Sequence, residues 1–300
     1  MVNMRNRGRS QVSLPGIIIH LVLVSVALAM VYPLYNQLVI ALTGSDYIAQ
    51  ADGMTLIPKG ITLSTFKAVL SFPKVYRGLF NTLFITAFGL IVNIVLTSLG
   101  AYVLIKKDLA GRNVFMTLII ITMIFEAGLI PDYFLMRDLG LLDRYASVIL
   151  YKAVNPYYLI ILMRFFGGVP KSLIEAARID GYGEVRILFR IMIPLSIAGI
   201  ATITLFYGVF HWNEYFRSMI YLTSEVKWPL QVVIRELVVS QEKAAFIGAL
   251  NFITSGTAAA IEFKALKAAL IIIAIVPILL FYPLVLRYFV SGKLSGSIKE

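Results

Sequence analysis

The sequence predicts an all-α membrane protein with six transmembrane helices, and three observations predict it. Hydrophobic residues make up 59% of the 300-residue chain and charged residues only 14%, more apolar side chain than a soluble interior of this size hides from water. The apolar residues fall into runs of about 20, the length that crosses about 30 Å of hydrocarbon as a helix. Basic residues gather in short segments beside those runs, as the positive-inside rule requires.

The first run, Gly16 to Leu42, follows Arg5, Arg7 and Arg9. It is too long for a signal-peptide core and lacks an A-x-A cleavage site, so it reads as a retained anchor with residues 1–15 in the cytoplasm. The second and third runs, Asn81 to Ile105 and Val114 to Met136, flank a turn carrying Lys106, Lys107 and Arg112, again on the inner side. The fourth, Ala146 to Arg164, contains Asn155-Pro156, where proline frees a carbonyl and disfavours helical geometry before it; a kink is expected. The fifth, Ile191 to Trp212, opens at Pro194. The sixth, Leu266 to Leu286, is followed by Arg287, Lys293 and Lys299, which return a tail, 291–300, to the cytoplasm. One membrane domain, 16–290, results, with outer loops from Gly44 to Tyr76 and from Asn213 to Glu262. The cations of those loops, among them Lys59, Lys67, Lys74, Arg217, Lys227 and Arg235, are dispersed and balanced by acids.

A formal charge of +11 does not imply a nucleic-acid partner, because the basic residues flank apolar runs instead of forming a patch interleaved with aromatics. The partner that these flanks imply is membrane lipid. Cysteine is absent, which removes disulfides, thiolate metal sites and thiol nucleophiles. No G-x4-G-K-[ST] loop occurs, and the two histidines, His20 and His211, form no metal or catalytic constellation. The chain is therefore expected to be no enzyme, to bind no cofactor itself and not to hydrolyse ATP.

A polar island, Lys171 to Arg190, separates the fourth and fifth runs. Pro170 suits a first helical turn, and Ser172 stands three residues before Glu175 in capping-box spacing. A helix rich in small residues is expected here, stopped at Asp180-Gly181 because glycine accepts the left-handed conformation past a helix end. A second amphipathic stretch is expected to follow, with Val185, Leu188, Phe189 and Met192 near one face and Glu184, Arg186 and Arg190 elsewhere. The alternative for the island is an amphipathic loop lying on lipid headgroups.

Glu175-Ala176-Ala177, Asp180-Gly181, and then Phe189, Ile191, Ile193, Pro194 and Leu195 resemble the EAA loop of ABC-importer permeases. That family usually has alanine after the motif glycine, where this chain has Tyr182, which bears on the packing after the turn. The resemblance implies a type I ABC importer permease fold, with a coupling loop at about 167–193 whose helix sits in a cleft of a cytoplasmic ATPase. Glu175, Ala176, Ala177, Asp180 and Gly181 are the coupling residues it implies. It also implies a bacterial cytoplasmic (inner) membrane location, a second homologous permease, two ATPase subunits that bind ATP and Mg, and an extracytoplasmic solute-binding protein docking on the outer loops. Further along, Phe210 to Phe216, Met219 to Leu222, Lys227 to Gln231 and the closing Gly292, Gly296-Ser297 and Lys299 are similar to carbohydrate permeases of the MalG kind, especially the LplC/YtcP-like subgroup. Import of a saccharide is implied.

Sugars call for aromatic faces to stack on and amides and carboxylates to hydrogen-bond. Tyr151 and Asn155 in the fourth run, and Tyr207, His211, Trp212, Asn213 and Glu214 at the end of the fifth, are candidates for the substrate path; an interfacial aromatic belt would also collect such rings. Ionisable residues inside spans cost about 2.5 to 3.5 kcal/mol on insertion scales and mark partners or cavities. Glu126 and Lys152 are such residues. They pair with one another, Lys152 snorkels to the surface, or Lys152 meets an anionic sugar, which would make the cargo an oligosaccharide of uronic acids. A secondary transporter driven by an ion gradient would instead use Glu126 for coupling. A membrane-embedded enzyme is a further alternative, disfavoured because no catalytic residues cluster at one depth.

Overall fold

The computed structural model describes residues 14–48, 55–239 and 263–296, and every regular element among them is helical. The chain divides into two compact units, 1–69 with 251–272, and 70–250 with 273–300.

The first unit opens with α1, Leu14–Leu42, a 29-residue helix that is apolar on every side. Its side chains from Ile17 to Tyr35 are exposed, and only Asn36, Val39, Ile40 and Ala41 near its end are covered. A helix apolar all round is a membrane span. Pro33 lies inside it without breaking it. The chain then folds back on the helix end: the Tyr35 hydroxyl donates to Leu56 O at 2.6 Å, the Asn36 amide to Thr55 O at 3.2 Å, and Gly44 N–H to Lys59 O at 3.0 Å. A short helix, α2 (Ser64–Ser71), ends the segment.

The second unit is organised on α3, Pro73–Leu104, which starts with proline in its first turn, well before the predicted Asn81. Its 32 residues reach about 48 Å at 1.5 Å per residue. Its buried stripe is Gly78, Thr82, Ile85, Gly89, Asn93, Thr97 and Ala101, three or four apart on one face and, Ile85 apart, small or polar. Lipid is as apolar as leucine, so close approach and hydrogen bonds, not apolar burial, hold such helices together. Against this stripe pack α7 (Pro156–Gly167), α10 (Ile197–Asn213) and α12 (Leu230–Val239). The final helix, α13, Phe263–Gly296, includes Pro277 and Pro283 and runs into the segment expected to be a separate tail.

The other predicted spans are interrupted. The third is two helices, α4 (Arg112–Ile124) and α5 (Leu129–Asp138), at 119° to one another. The fourth is broken outright instead of kinked: α6, Tyr145–Leu150, stops, Tyr151 to Asn155 are non-helical, and α7 follows. The fifth starts at Ile197, not at Ile191, because α9, Glu184–Leu195, meets α10 at 86° with Ser196 at the corner. Among the described residues, therefore, three helices are long and apolar enough to cross a membrane, or five if each bent pair is one span. Each of the six predicted segments holds helix among the described residues, but only the first, second and sixth are single unbroken helices. Proline gives the physical reason, since its ring crowds the carbonyl four residues earlier and offers that carbonyl no N–H. Pro131 acts on Ala127, Pro156 on Lys152 and Pro194 on Arg190, and each of these carbonyls lies at a break or in the five-residue π-turn Leu188–Met192.

At one end, residues 222–230 are fastened by ion pairs and backbone contacts. Lys227 Nζ pairs with Asp143 Oδ2 at 2.7 Å, Ser224 Oγ donates to the same oxygen at 2.7 Å, and Asn81 Nδ2 donates to Val226 O and Trp228 O at 2.8 and 3.0 Å. Lys227 and the Ser224 donors hold the Asp143 carboxyl well below the usual carboxylate range. Lys74 pairs with Glu225 at 2.8 Å and Glu236 at 3.3 Å. Residues 240–262 of the predicted second outer loop, together with Arg5, Arg7, Arg9 and Lys299, lie outside the described residues.

Candidate functional site

The polar island folds into α8, Lys171–Ile179, then α9. Pro170 stands at the N-cap, not inside the helix, and Ser172 is already in the first turn, so no side-chain cap forms and the expected capping box is absent. The stop is as expected: Gly181 is left-handed at φ 76°, Gly181 N–H donates to Arg178 O at 3.0 Å and Tyr182 N–H to Ala177 O at 2.9 Å. These two bonds make a Schellman motif. Tyr182, the departure from the family pattern, packs partly buried on the same apolar cluster as Ala177.

Of the five predicted coupling residues, Glu175, Ala176, Asp180 and Gly181 are exposed. Ala177 is 6% exposed and faces inward, onto a cluster with Tyr102 of α3, Phe166 of α7 and Ile187 and Leu188 of α9. It anchors the helix, and Leu173 and Ile179, the latter 87% exposed, are the large apolar residues that α8 presents. The second stretch is amphipathic, but along a different face from the expected one. Ile187, Leu188 and Met192 are buried while Val185 and Phe189 are exposed. The π-turn, closed by Ile193 N–H on Leu188 O, inserts a residue into the helical period and so moves the buried stripe.

Glu184 links this assembly to α3. One carboxylate oxygen accepts from the Tyr102 hydroxyl and pairs with Lys106 Nζ at 2.8 Å; the other pairs with Arg178 at 3.0 Å. Lys106 first, then the Tyr102 hydroxyl, bring the Glu184 pKa down to about 2. Sequence reasoning gives Glu184 no role, since Tyr102 stands 82 residues away in the chain and Lys106 almost as far.

The second constellation is the break in the fourth span. Lys152 is left-handed at φ 51°, a conformation that costs a non-glycine residue on the order of 1 kcal/mol. Asn155 caps α7, its side chain accepting from Tyr157 N–H at 2.9 Å. The freed backbone groups find partners on two other helices. Asn93 Nδ2 donates to Ala153 O at 2.9 Å, and Asn155 N–H donates to the Tyr207 hydroxyl at 2.8 Å, which also bonds Thr97 Oγ1 at 2.8 Å. His211 Nε2 lies 2.7 Å from Asn93 Oδ1, its ring lodged where a Cβ on Gly89 would come within 2.4 Å. Broken helices survive in hydrocarbon only with such internal partners.

Tyr151, Lys152 and Asn155 line one cavity of about 670 Å³, together with Glu126 and Asp132, and Lys152 Nζ pairs with Glu126 Oε1 at 2.6 Å. Of the three arrangements open to Lys152, the ion pair is the one formed. Asn213 and Glu214 border a different cavity of about 570 Å³, beside Tyr158 and Phe210. Glu214 there holds Arg217 at 3.4 Å, and the Arg217 guanidinium stacks 4.0 Å over Tyr151. Tyr207 and His211, 1% and 2% exposed, line neither cavity; they brace the break. Trp212 is also buried, its indole N–H donating to Ala274 O at 3.0 Å. The predicted substrate-path residues thus separate into three places. Asn93 and Thr97, which the sequence reading missed, carried a signal in their i, i+4 spacing on one face of an apolar span.

No family model matches the chain. YtcP of Bacillus subtilis (strain 168), a polygalacturonan/rhamnogalacturonan transport system permease protein, is 40% identical over 244 residues, covering 81% of this chain and 84% of that protein. The chain belongs to the permeases of ABC sugar importers. LplC of the same organism is also 40% identical, over 81% of each chain. A crystal structure of a bacterial ABC transporter involved in the import of the acidic polysaccharide alginate includes a chain that matches this permease with a TM-score of 0.84 and 32% identity, over 95% of this chain and all of that one. A second, 14% identical chain, from a complex of the alginate transporter with a periplasmic protein bound to alginate pentasaccharide, matches at a TM-score of 0.54 and bears on the fold alone. The permease is accordingly a multi-pass membrane protein of a sugar importer, and the ion-gradient alternative falls.

Proposed function

We propose that this permease forms, with a second homologous permease, the membrane pathway of an ATP-driven importer for a uronate-containing oligosaccharide, and that α8 couples it to an ATPase. ATP and Mg belong to two separate ATPase subunits on the cytoplasmic side, where both termini also lie, in a bacterial inner membrane. An extracytoplasmic binding protein delivers the sugar to the opposite face, on the loops Gly44 to Tyr76 and Asn213 to Glu262. ATP binding favours closed ATPases, and closure favours one permease state over the other; by linkage, loaded binding protein favours ATPase closure in return.

The observation that carries the coupling reading is the form of α8. It is fixed to the permease through Ala177 and capped by Gly181, and it exposes Glu175, Ala176 and Ile179 together on its free side. The acidic cargo is supported by the acidic polysaccharides that two similar proteins transport and by a cation, Lys152, in the non-helical break that borders the larger cavity. The test is disulfide crosslinking of Ala176→Cys to a cysteine in the ATPase cleft of the assembled importer. Crosslinking that varies with bound nucleotide is expected; an α8 that reaches no ATPase in any nucleotide state overturns the reading.

A further inference from the structure

We propose that Glu126 is a built-in stand-in for the cargo's carboxylate: it neutralises Lys152 in the empty permease, and an acidic sugar exchanges its own carboxylate for Glu126 on the same ammonium. The proposal rests on the acidic-cargo reading above and concerns the same cavity.

The charge inventory of the cavity creates the problem that exchange solves. Lys152 is the one cation among its lining residues, against two carboxylates, Glu126 and Asp132. The ammonium is already taken, 2.6 Å from Glu126 Oε1. Another cation, Arg217, is held by Glu214 and lies over the ring of Tyr151. An anion approaching this lining meets net negative charge and no free donor cation. If the arriving carboxylate takes the place of Glu126, the number of charges on Lys152 is unchanged, and neither ion is stranded in a medium of low dielectric.

The geometry also sets which partner leaves. The Lys152 side chain is 32% exposed, and its backbone is fixed in the left-handed conformation between Ala153 N–H on Leu150 O and the Asn93 bond to Ala153 O. Glu126 is 64% exposed and stands in the non-helical link between α4 and α5, so it is the less enclosed partner and the one that gives way. A neutral sugar brings no replacing anion, so the closed pair works as a charge filter. Because Lys152 is free for only a fraction of the time, the pair also lowers the apparent affinity for acidic sugar by that fraction.

The experiment uses the complete importer, permeases, ATPases and binding protein, in proteoliposomes, with trigalacturonate and trimannuronate as probes. Glu126→Gln is expected to raise the initial import rate at low probe concentration about threefold, and Lys152→Gln to lower it about tenfold. In the unmodified importer, carbodiimide-promoted amine coupling to Glu126, read by mass spectrometry, is expected to rise several-fold with either probe and to stay constant with its methyl ester. That arm needs no variant, so it decides even if a substitution prevents assembly. Equal losses in both variants, or Glu126 coupling indifferent to the probe, overturn the exchange while leaving the acidic cargo in place. An unmodified importer that moves neither uronate trimer overturns the acidic-cargo reading, and the exchange with it.

Discussion

Single side chains in this permease decide whether helices meet at all. A methyl group on Gly89 would sit 2.4 Å from His211 Nε2, and that ring cannot retreat while Asn93 holds it. Gly89→Ala is expected to push α3 and α10 apart at the overpacking cost of about 1 to 3 kcal/mol, seen as a lower melting temperature of the detergent-solubilised complex. Tyr207→Phe removes the acceptor of Asn155 N–H and the partner of Thr97. Because this residue braces the break, import should fall alike for acidic and neutral sugars, whereas a cargo contact would give a selective loss. Glu184→Gln keeps a bond to Tyr102 but removes the charge that holds Lys106 and Arg178. Stimulation of the ATPase by loaded binding protein should drop relative to its basal rate. With the Glu184 pKa lowered from 4.5 to about 2, its ion pairs contribute fully above the ordinary value and are lost only as pH falls through the folded one. The effect of the substitution should therefore be constant between about pH 5 and pH 8, and a marked pH dependence in that window would refute the assignment.

At the level of helices, the stop after α8 was legible and the breaks were not. Asp180-Gly181 announces a left-handed stop in any sequence, and the bonds that complete it are local. The kink expected in the fourth span is a full break, and proline alone does not say whether a helix bends or parts. Pro33, Pro277 and Pro283 lie inside unbroken helices, while Pro156 opens a new helix after a break. What distinguishes Pro156 is a supply of partners for the freed backbone, Asn93 on α3 and Tyr207 on α10, which lie 60 and 52 residues from the groups they serve. No local pattern contains that. The amphipathic face of α9 was misjudged for a related reason, since a π-turn shifts the register that a 3.6-residue period assumes. Asn93→Leu, which leaves Ala153 O and His211 without a partner, is expected to destabilise the break by about 1 to 3 kcal/mol and to reduce import severely. Retained import with an unchanged melting temperature would refute the bracing role.

Over the whole chain, composition and charge announced the membrane class, and the EAA residues the family. The substrate path was legible only as a set of residue types. Tyr151, Lys152 and Asn155 reach one cavity and Asn213 and Glu214 another, a division made by the turn of the chain at Tyr151 and not by any spacing along it. The dispersed cations of the predicted outer loops include Lys74, Arg217 and Lys227, each paired with a carboxylate. The right-angled corner at Ser196 has a further consequence. Its N–H still reaches back to Met192 O and Ile193 O, and α9 and α10 leave it at 86° as arms of about 18 and 25 Å. Two arms on one corner have the geometry of a bell crank: a displacement of the loop end of α9 would be turned through a right angle into a slightly larger sweep of the far end of α10, where Tyr207 and His211 grip the break.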